Sequence, residues 1–337
     1  MKIHYLSCHS ILEYDEVSIL TELGHEVFSN GAYLDPAGHI SLPRPGIPNA
    51  KYYPEYAEIA RRTSRTQLPN ELIDPFDVII VMHLPEILFE NWEKIKHKRV
   101  IWRTIGQSVP WIEKRISELK KEGLEIVRYS PAEERLPNYA GSDALIRFYK
   151  DPAEFGGWEG KDISVLNATQ SFKGRRDFVG YDPYMAITDG FPRVVLGGGN
   201  EDLGALSGGD VSYDVLKARM RDHRAYLYSG TWPASYTLSF IEAWMTGIPV
   251  IAVGQDIWNK PHGGKFPIYE VPSLIDNGVN GFVSNNIEEL RGYVKSLLEN
   301  KDLADRIGMA GRIKAIETFG KAAIKEQWDT YLRKGKQ

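Results

Sequence analysis

The sequence predicts an α/β protein of two domains, each a parallel sheet with helices on both faces. The chain has 337 residues, and at roughly 100–200 residues per domain this length corresponds to two domains. Short apolar runs alternate with helical patterns in both halves, which is typical of doubly wound sheets. The pattern weakens over residues 137–162, where prolines and glycines indicate a boundary.

The first half begins with a β-α-β unit. A strand at residues 2–7 is followed by a helical pattern up to Leu23, which Gly24 ends because glycine adopts the left-handed cap at least cost. A second strand at 25–28 completes the unit and implies parallel pairing. The continuous apolar run at 77–82 suits a strand buried on both faces. Further elements are predicted as strands at 99–103 and 124–129 and a helix at 111–122.

The second half repeats the alternation. Its predicted strands lie at residues 163–167, 193–197, 225–228, 249–253 and 281–283. Its predicted helices lie near 176–188, 211–221, 237–246, 287–299 and 301–318. The final segment is amphipathic, with its apolar side formed by Ile324, Trp328 and Tyr331. This order of elements predicts a second parallel sheet.

Composition excludes several classes of protein. The net charge of −4 provides no global basic field for nucleic acid. The single cysteine, Cys8, rules out an internal disulfide framework and a cysteine-based zinc site. The N-terminus lacks the pattern of a secretory signal, and no run of about 18 apolar residues occurs. We therefore expect a cytoplasmic protein without a transmembrane segment, and a peripheral membrane contact through an amphipathic helix stays open.

The strongest local signal lies in residues 229–253. A strand ends near Ser229, a helix opens at Thr237, and Gly247 ends that helix. The N-terminus of such a helix presents free N–H groups and a positive dipole end, which suit a diphosphate. The hydroxyl of Thr237 could add a hydrogen bond to a phosphate oxygen. Glu242 lies about one and a half turns deeper, where a carboxylate could accept both hydroxyls of a ribose.

This stretch resembles the donor-site motif of the GT-B glycosyltransferases, most closely that of glycosyltransferase family four. The family pattern is Glu-Gly-Phe-Gly-Leu, three residues, then Glu-Ala-Met-Ala-x-Gly-x-Pro-Val-Ile. This sequence has ASYTL, three residues, then EAWMTGIPVI. Glu242 matches the glutamate that holds the donor ribose in the family, and Ala234 stands where the family has a glutamate that contacts the transferred sugar. Residues 276–283 and the C-terminal tail also resemble the family.

Upstream, Phe172-Lys173-Gly174 is similar to the family's basic donor-phosphate motif. The family's arginine would fall at Ala168, so Arg175 or Arg176 is the candidate for the second cation. A leaving nucleoside diphosphate gains negative charge, and an enzyme without a metal needs fixed positive charge there. No Asp-x-Asp sequence at a strand end suggests a bound metal. Arg103 and Thr104 fall where the family often places a histidine near the sugar.

The resemblance implies a GT-B fold and a metal-independent hexosyltransferase that uses a nucleoside-diphosphate sugar, with retention at the anomeric carbon and no cofactor. It implies an acceptor domain at 1–155, a donor domain at 156–318 and a crossover helix at 319–337 that packs on the first domain. The acceptor could be a saccharide, a lipid-linked sugar, a small molecule or a modified nucleic acid. The expected catalytic residues are Lys173, Arg176, Arg103 and Thr104. The expected donor-binding residues are Glu242, Thr237, Tyr236, Leu238, Gly198 and Ser229.

Other interpretations stay open at this point. Sugar-nucleotide 2-epimerases share the GT-B fold. A nucleotide-sugar-binding protein with a decayed transferase site is favoured by Ala234 and by the absence of the family's histidine. Glu242 could be a solvated helix residue and Thr237 a plain helix cap. His9 and His83 sit at predicted strand ends, where ligands bind in open α/β sheets, or are ordinary loop histidines.

Overall fold

The computed structural model describes residues 1–34, 44, 46–64, 66–106, 108–264 and 267–335. Two compact units are present, of which the first comprises Met1–Phe148 together with Ile324–Gln337 and the second comprises Tyr149–Ala323. The domain boundaries expected from the sequence were 155 and 318. In the structure, the division between the two units lies at 148/149 and 323/324 instead.

The first unit contains a parallel sheet with the strand order β2-β1-β3-β4-β5-β6. Its strands are β1 (Lys2–Leu6), β2 (Glu26–Asn30), β3 (Val78–Met82), β4 (Arg99–Arg103), β5 (Glu125–Arg128) and β6 (Ala144–Leu145). Its helices are α1 (Ser10–Glu22), α2 (Pro54–Arg62), α3 (Pro85–Ile95) and α4 (Pro110–Lys120). Every residue of β3 is buried, as expected for the apolar run.

The second unit contains a parallel sheet with the strand order β11-β10-β9-β7-β8. Its strands are β7 (Asp162–Ala168), β8 (Arg193–Leu196), β9 (His223–Tyr228), β10 (Val250–Val253) and β11 (Phe282–Ser284). Its helices are α5 (Arg176–Val179), α6 (Tyr181–Thr188), α7 (Tyr213–Asp222), α8 (Leu238–Thr246), α9 (Gln255–Asn259), α10 (Val271–Leu274), α11 (Ile287–Glu299) and α12 (Lys301–Phe319). The α/β class and the two parallel sheets predicted from the sequence are confirmed.

The last helix, α13 (Lys321–Lys334), carries the chain back to the first unit. Trp328 is fully buried there and Tyr331 is nearly so. Nη1 of Arg99 donates to the carbonyl oxygen of Leu332 at 2.8 Å. The amphipathic pattern of the tail therefore reflects packing within the first unit.

Two local features differ from the sequence prediction. The single helix expected near 176–188 is divided into α5 and α6 because Gly180 has a φ of 66°, in the left-handed region. Helices α2, α3, α9 and α10 were not predicted, since each is short or opens beside a proline. Within the described residues, no helix is long and apolar enough to cross a membrane.

Stability of the first unit should depend on pH through His4. The ring is fully buried and bonded through Nδ1 to the carbonyl oxygen of Leu72 at 2.8 Å. Burial lowers the pKa of His4 from 6.5 to about 4, so the folded state binds its proton less readily than the unfolded state. The free energy of unfolding should therefore fall by about 3 kcal/mol as pH drops from 6.5 to 4. Urea denaturation across this pH range measures the effect.

The matched variants for this prediction are His4→Asn and His97→Asn. Asparagine at position 4 can still donate to Leu72 but does not titrate, so the pH dependence should become shallower. His97 is exposed, and its replacement should leave the dependence as in the unaltered protein. An equal pH dependence in all three proteins would contradict the role of His4.

Candidate functional site

The candidate site lies at the carboxyl edge of the second sheet. From β7 the chain goes to β8 on one side of that strand and later to β9 on the other. The loops after β7 and β9 diverge at such a reversal of strand order, and open α/β sheets bind their ligands there. Lys173 follows β7, Gly198 follows β8 and Thr237 follows β9.

One buried amide joins the loops after β7 and β8. Oδ1 of Asn200 accepts from the backbone N–H of Phe172 at 2.7 Å. Its Nδ2 donates to the carbonyl oxygens of Thr169 at 2.8 Å and Gly197 at 2.9 Å. The backbone N–H of Ser171 also donates to the carbonyl oxygen of Gly198 at 2.9 Å. These bonds place the segment that carries Lys173 beside the loop after β8, which contains Gly197 and Gly198. Sequence reasoning missed Asn200.

Thr237 immediately precedes α8, and its side chain makes no capping hydrogen bond to a backbone N–H group of that helix. Its hydroxyl instead donates to the hydroxyl of Tyr228 at 3.2 Å and lies 3.0 Å from Oγ of Ser239. The interpretation of Thr237 as a plain side-chain cap is thus not supported. The N–H groups of the first turn are left without a capping oxygen from Thr237.

Glu242 is buried, with only 3% of its surface exposed, so it is not a solvated helix residue. Its Oε1 lies 3.0 Å from Nζ of Lys150 and accepts a hydrogen bond from the hydroxyl of Tyr213 at 2.9 Å. Nζ of Lys150 also donates to the hydroxyl of Tyr213 at 3.2 Å. We call these three side chains the Glu242 cluster. Lys150 is 1% exposed and forms a buried ion pair whose separation would leave an uncompensated charge.

Lys173 is half-exposed, and Nζ lies 4.0 Å from Oδ2 of Asp202. An ion pair of this length and exposure is weak, so the charge of Lys173 is available to an anionic ligand. Nη2 of Arg175 donates to the carbonyl oxygen of Gln170 at 2.7 Å, within the same loop. Among the described residues, no group of three or more His, Cys, Asp or Glu side chains could hold a metal ion.

Three expected site residues lie outside this arrangement. Arg176 forms an exposed ion pair with Asp182. Both residues line a cavity that includes Ser229 but not Glu242 or Lys173. The hydroxyl of Ser229 is buried and donates to the carbonyl oxygen of Val179 at 2.6 Å. The ring of Tyr236 is buried against Phe319, with 5.1 Å between ring centroids. Only backbone atoms of Ser229 and Tyr236 therefore remain as candidates for donor contact.

Leu238 and Gly198 lie in positions that suit contact between their backbone atoms and a donor. Leu238 is the first residue of α8, so its N–H belongs to the first turn, where N–H groups have no partner within the helix. A Cβ added at Gly198 would lie 3.3 Å from a carboxylate oxygen of Asp210, so glycine permits this close approach. The roles of both residues stay predictions.

Arg103 and Thr104 are fully buried within the first unit. Nε of Arg103 donates to Oε1 of Glu16 at 2.7 Å, and Nη1 donates to the carbonyl oxygen of Ile146 at 2.7 Å. The hydroxyl of Thr104 donates to Oε2 of Glu133 at 2.8 Å. These contacts correct the expectation that the two side chains reach a transferred sugar, because their polar atoms are used inside the unit.

His9 and His83, which the sequence places at strand ends, have different surroundings in the structure. Nδ1 of His9 accepts from the backbone N–H of Leu12 at 3.4 Å, so this residue caps α1. His83 has a φ of 45°, which is uncommon for a residue other than glycine. Burial lowers the pKa of His83 to about 4, so its imidazole is neutral at neutral pH. His9 therefore has a local structural role.

Neither a protein-family model nor a curated protein matches this sequence. Solved structures do share the arrangement of its elements. HepE from Anabaena, in complex with UDP and glucose, gives a TM-score of 0.68 at 14% identity over 99% of both chains. The fold is that of the GT-B glycosyltransferases. Sucrose-phosphate synthase from Thermosynechococcus elongatus gives 0.69 at 14% identity over 99% of this chain and 98% of that one.

A glycosyltransferase from Rickettsia africae agrees equally well, with a TM-score of 0.68 at 14% identity over 100% of this chain and 99% of that chain. A structural likeness at this level of sequence identity establishes the GT-B fold alone. The fold does not determine the function, because one fold carries many activities.

Proposed function

We propose that this protein is a glycosyltransferase that takes a sugar from a nucleoside-diphosphate sugar held by its second unit. The observation that carries the proposal is the Glu242 cluster, which holds a buried carboxylate at the point where the strand order reverses. A fixed carboxylate accepts hydrogen bonds only, and the two hydroxyls of a ribose are donors. HepE, which shares the fold, is described with UDP and with UDP-glucose, which supports UDP as the nucleotide.

The diphosphate would lie between the start of α8 and Lys173. The first turn of α8, which the side chain of Thr237 does not cap, would supply N–H donors and the positive end of the helix dipole. Lys173 supplies a charge that is not neutralised by a close partner. Such fixed donors stabilise the charge that develops on the leaving diphosphate as the bond to the sugar breaks. Metal independence and retention follow from the resemblance and belong to the proposal, as does acceptor binding by the first unit.

Binding of UDP and of 2′-deoxy-UDP tests the role of Glu242. Glu242→Gln should weaken UDP binding about 10- to 100-fold, because hydrogen bonds to a charged acceptor contribute about 1.5–3 kcal/mol. The same substitution should remove most of the preference for UDP over the deoxy form. Isothermal titration calorimetry with both nucleotides measures the two effects.

The matched control is Glu317→Gln, which changes a glutamate on α12 whose side chain is 62% exposed. This control should bind both nucleotides as the unaltered protein does. Glu242→Asp, which keeps the charge but shortens its reach, checks that the effect depends on geometry rather than on folding. Unchanged affinity and unchanged preference in a folded Glu242→Gln protein would contradict the proposed ribose contact.

A second candidate is a nucleotide-sugar-binding protein that no longer transfers the sugar. Ala234 favours it, because a methyl group that is 8% exposed replaces the carboxylate expected beside the sugar. Slow hydrolysis of UDP-glucose that survives a chelator would support the transferase. Tight binding of UDP-glucose without hydrolysis, and without transfer to a panel of acceptors, would support the binding protein instead.

A further inference from the structure

Two side chains from other segments of the second unit hold Glu242. Lys150 lies before β7, Tyr213 is the first residue of α7, and Glu242 lies on α8. The backbone N–H of Lys150 donates to the carbonyl oxygen of Phe319 at 3.0 Å, which anchors the lysine at the end of α12. The ring of Tyr213 packs edge-on against Phe155, with 6.1 Å between ring centroids and 80° between the planes. Both partners of Glu242 are therefore fixed by contacts of their own.

The two oxygens of the Glu242 carboxylate have different surroundings. Oε1 lies 3.0 Å from Nζ of Lys150 and accepts from the hydroxyl of Tyr213 at 2.9 Å, so both of its lone pairs are used. Oε2 accepts no hydrogen bond from any residue that the structure describes. It does not belong to the fully enclosed polar atoms that lack a partner, although most of the residue is buried. The small part of Glu242 that reaches solvent therefore includes the oxygen without a hydrogen bond.

Lys150 supplies the charge that compensates this buried carboxylate. A carboxylate in a protein interior is strongly unfavourable unless a cation and hydrogen bonds accompany it. The side chain of Lys150 is almost fully buried, so water and salt screen its charge only weakly. The pair is neutral as a whole, so an anionic diphosphate nearby would not meet an uncompensated negative charge. The hydroxyl of Tyr213, which accepts from Nζ of Lys150 at 3.2 Å, completes the arrangement.

We infer that Lys150 and Tyr213 are positioning residues for recognition of the donor ribose, because they bind Oε1 of Glu242 and leave Oε2 to accept from the ribose hydroxyls. This role rests on the proposed function, in which Glu242 contacts the ribose. A carboxylate whose direction is already fixed loses little side-chain entropy when it binds a hydroxyl. Neither positioning residue has to touch the nucleotide. Their effect should therefore appear in the ribose contact that Glu242 makes.

Tyr213→Phe and Lys150→Met test this role through the preference of the full chain for UDP over 2′-deoxy-UDP, measured by isothermal titration calorimetry. Tyr213→Phe should lower that preference about threefold and Lys150→Met about tenfold, because groups in direct contact are energetically coupled. Lys150→Met leaves a buried carboxylate without its cation, so its folding is checked by circular dichroism. Tyr213→Phe removes one hydroxyl and keeps the ion pair, so it decides the matter if Lys150→Met does not fold.

The same two substitutions are also made in a Glu242→Gln protein. They should cause no further loss of preference there, since the carboxylate that they position is gone. Tyr293→Phe is the control for the loss of a tyrosine hydroxyl, because Tyr293 lies on α11 and bonds to Asn277. Lys325→Met is the control for the loss of a paired lysine, because Lys325 pairs with Glu22 at 3.1 Å. Both controls should keep the preference of the unaltered protein.

Three results would contradict the positioning role. An unaltered preference in folded Tyr213→Phe and Lys150→Met proteins would overturn it, and the ribose contact would stand if Glu242→Gln had removed the preference. An equal loss of affinity for both nucleotides would also overturn it, because a purely structural role predicts that result. If Glu242→Gln itself kept the preference, the proposed ribose contact would fail and the positioning role with it.

Discussion

Replacement of Lys173 by alanine is expected to lower kcat for transfer or hydrolysis of UDP-glucose by about 100- to 1,000-fold. The charge on the leaving diphosphate increases as the glycosidic bond breaks, so a nearby cation stabilises the transition state more than the bound donor. KM should change far less than kcat. Steady-state kinetics that report kcat and KM separately measure this difference.

Two control variants accompany Lys173→Ala. Lys173→Arg keeps the positive charge and should retain a larger share of the activity than alanine does. Lys161→Ala removes another exposed lysine, whose side chain is 72% exposed, and should leave kcat unchanged. Full activity of Lys173→Ala would exclude this lysine from the site, and a rise in KM alone would show that it binds the donor without acting on the transition state.

The second large effect concerns the stability of the first unit. Arg103→Leu is expected to lower the free energy of unfolding by about 3–5 kcal/mol, because it leaves Glu16 buried without its cation. Glu16 also accepts a hydrogen bond from the hydroxyl of Tyr5 at 2.6 Å, which cannot replace the lost charge. Urea denaturation measures the change, and the double variant with Glu16→Gln should recover part of it.

Arg333→Leu provides the comparison for Arg103→Leu. Arg333 pairs with Asp329 at 2.8 Å, but its side chain is 77% exposed, so its loss should cost less than about 1 kcal/mol. Arg103→Leu should also keep its kcat per folded molecule. A strongly reduced kcat without a loss of stability would restore Arg103 to the catalytic residues and contradict its buried role.

Much of the fold follows from local pattern. The apolar run at Val78–Met82 became a strand buried along its whole length, and the helix after Thr237 ends at Gly247, whose φ is 93°. Parallel sheets bury both faces of their strands, so their apolar runs are easy to recognise. The break at Gly180 was not predicted, because a single glycine inside a helical pattern does not reveal whether it turns the backbone.

The candidate site was only partly predictable. Spacing along one helix indicated Glu242 and Thr237, and the resemblance of Phe172-Lys173-Gly174 to the family's motif indicated Lys173. The sequence contained no local signal for Lys150, Tyr213 or Asn200. Lys150 and Tyr213 contact Glu242, and Asn200 accepts a hydrogen bond from the backbone of Phe172. These partners are distant in the chain, and such contacts leave no periodic pattern in the sequence.

The α/β class, the parallel strands and the helix that carries Glu242 could be predicted from the sequence, because these depend on periodicity and on neighbours within a few residues. Which polar side chains are available to a ligand depends on contacts that form in the folded chain. Arg103 and Glu242 both looked like site residues, yet Arg103 is enclosed with Glu16, while Glu242 is held by Lys150 at the carboxyl edge of a sheet. Burial and ion pairing depend on residues that meet only in the folded chain, since the free energy of a charge is set by the groups around it.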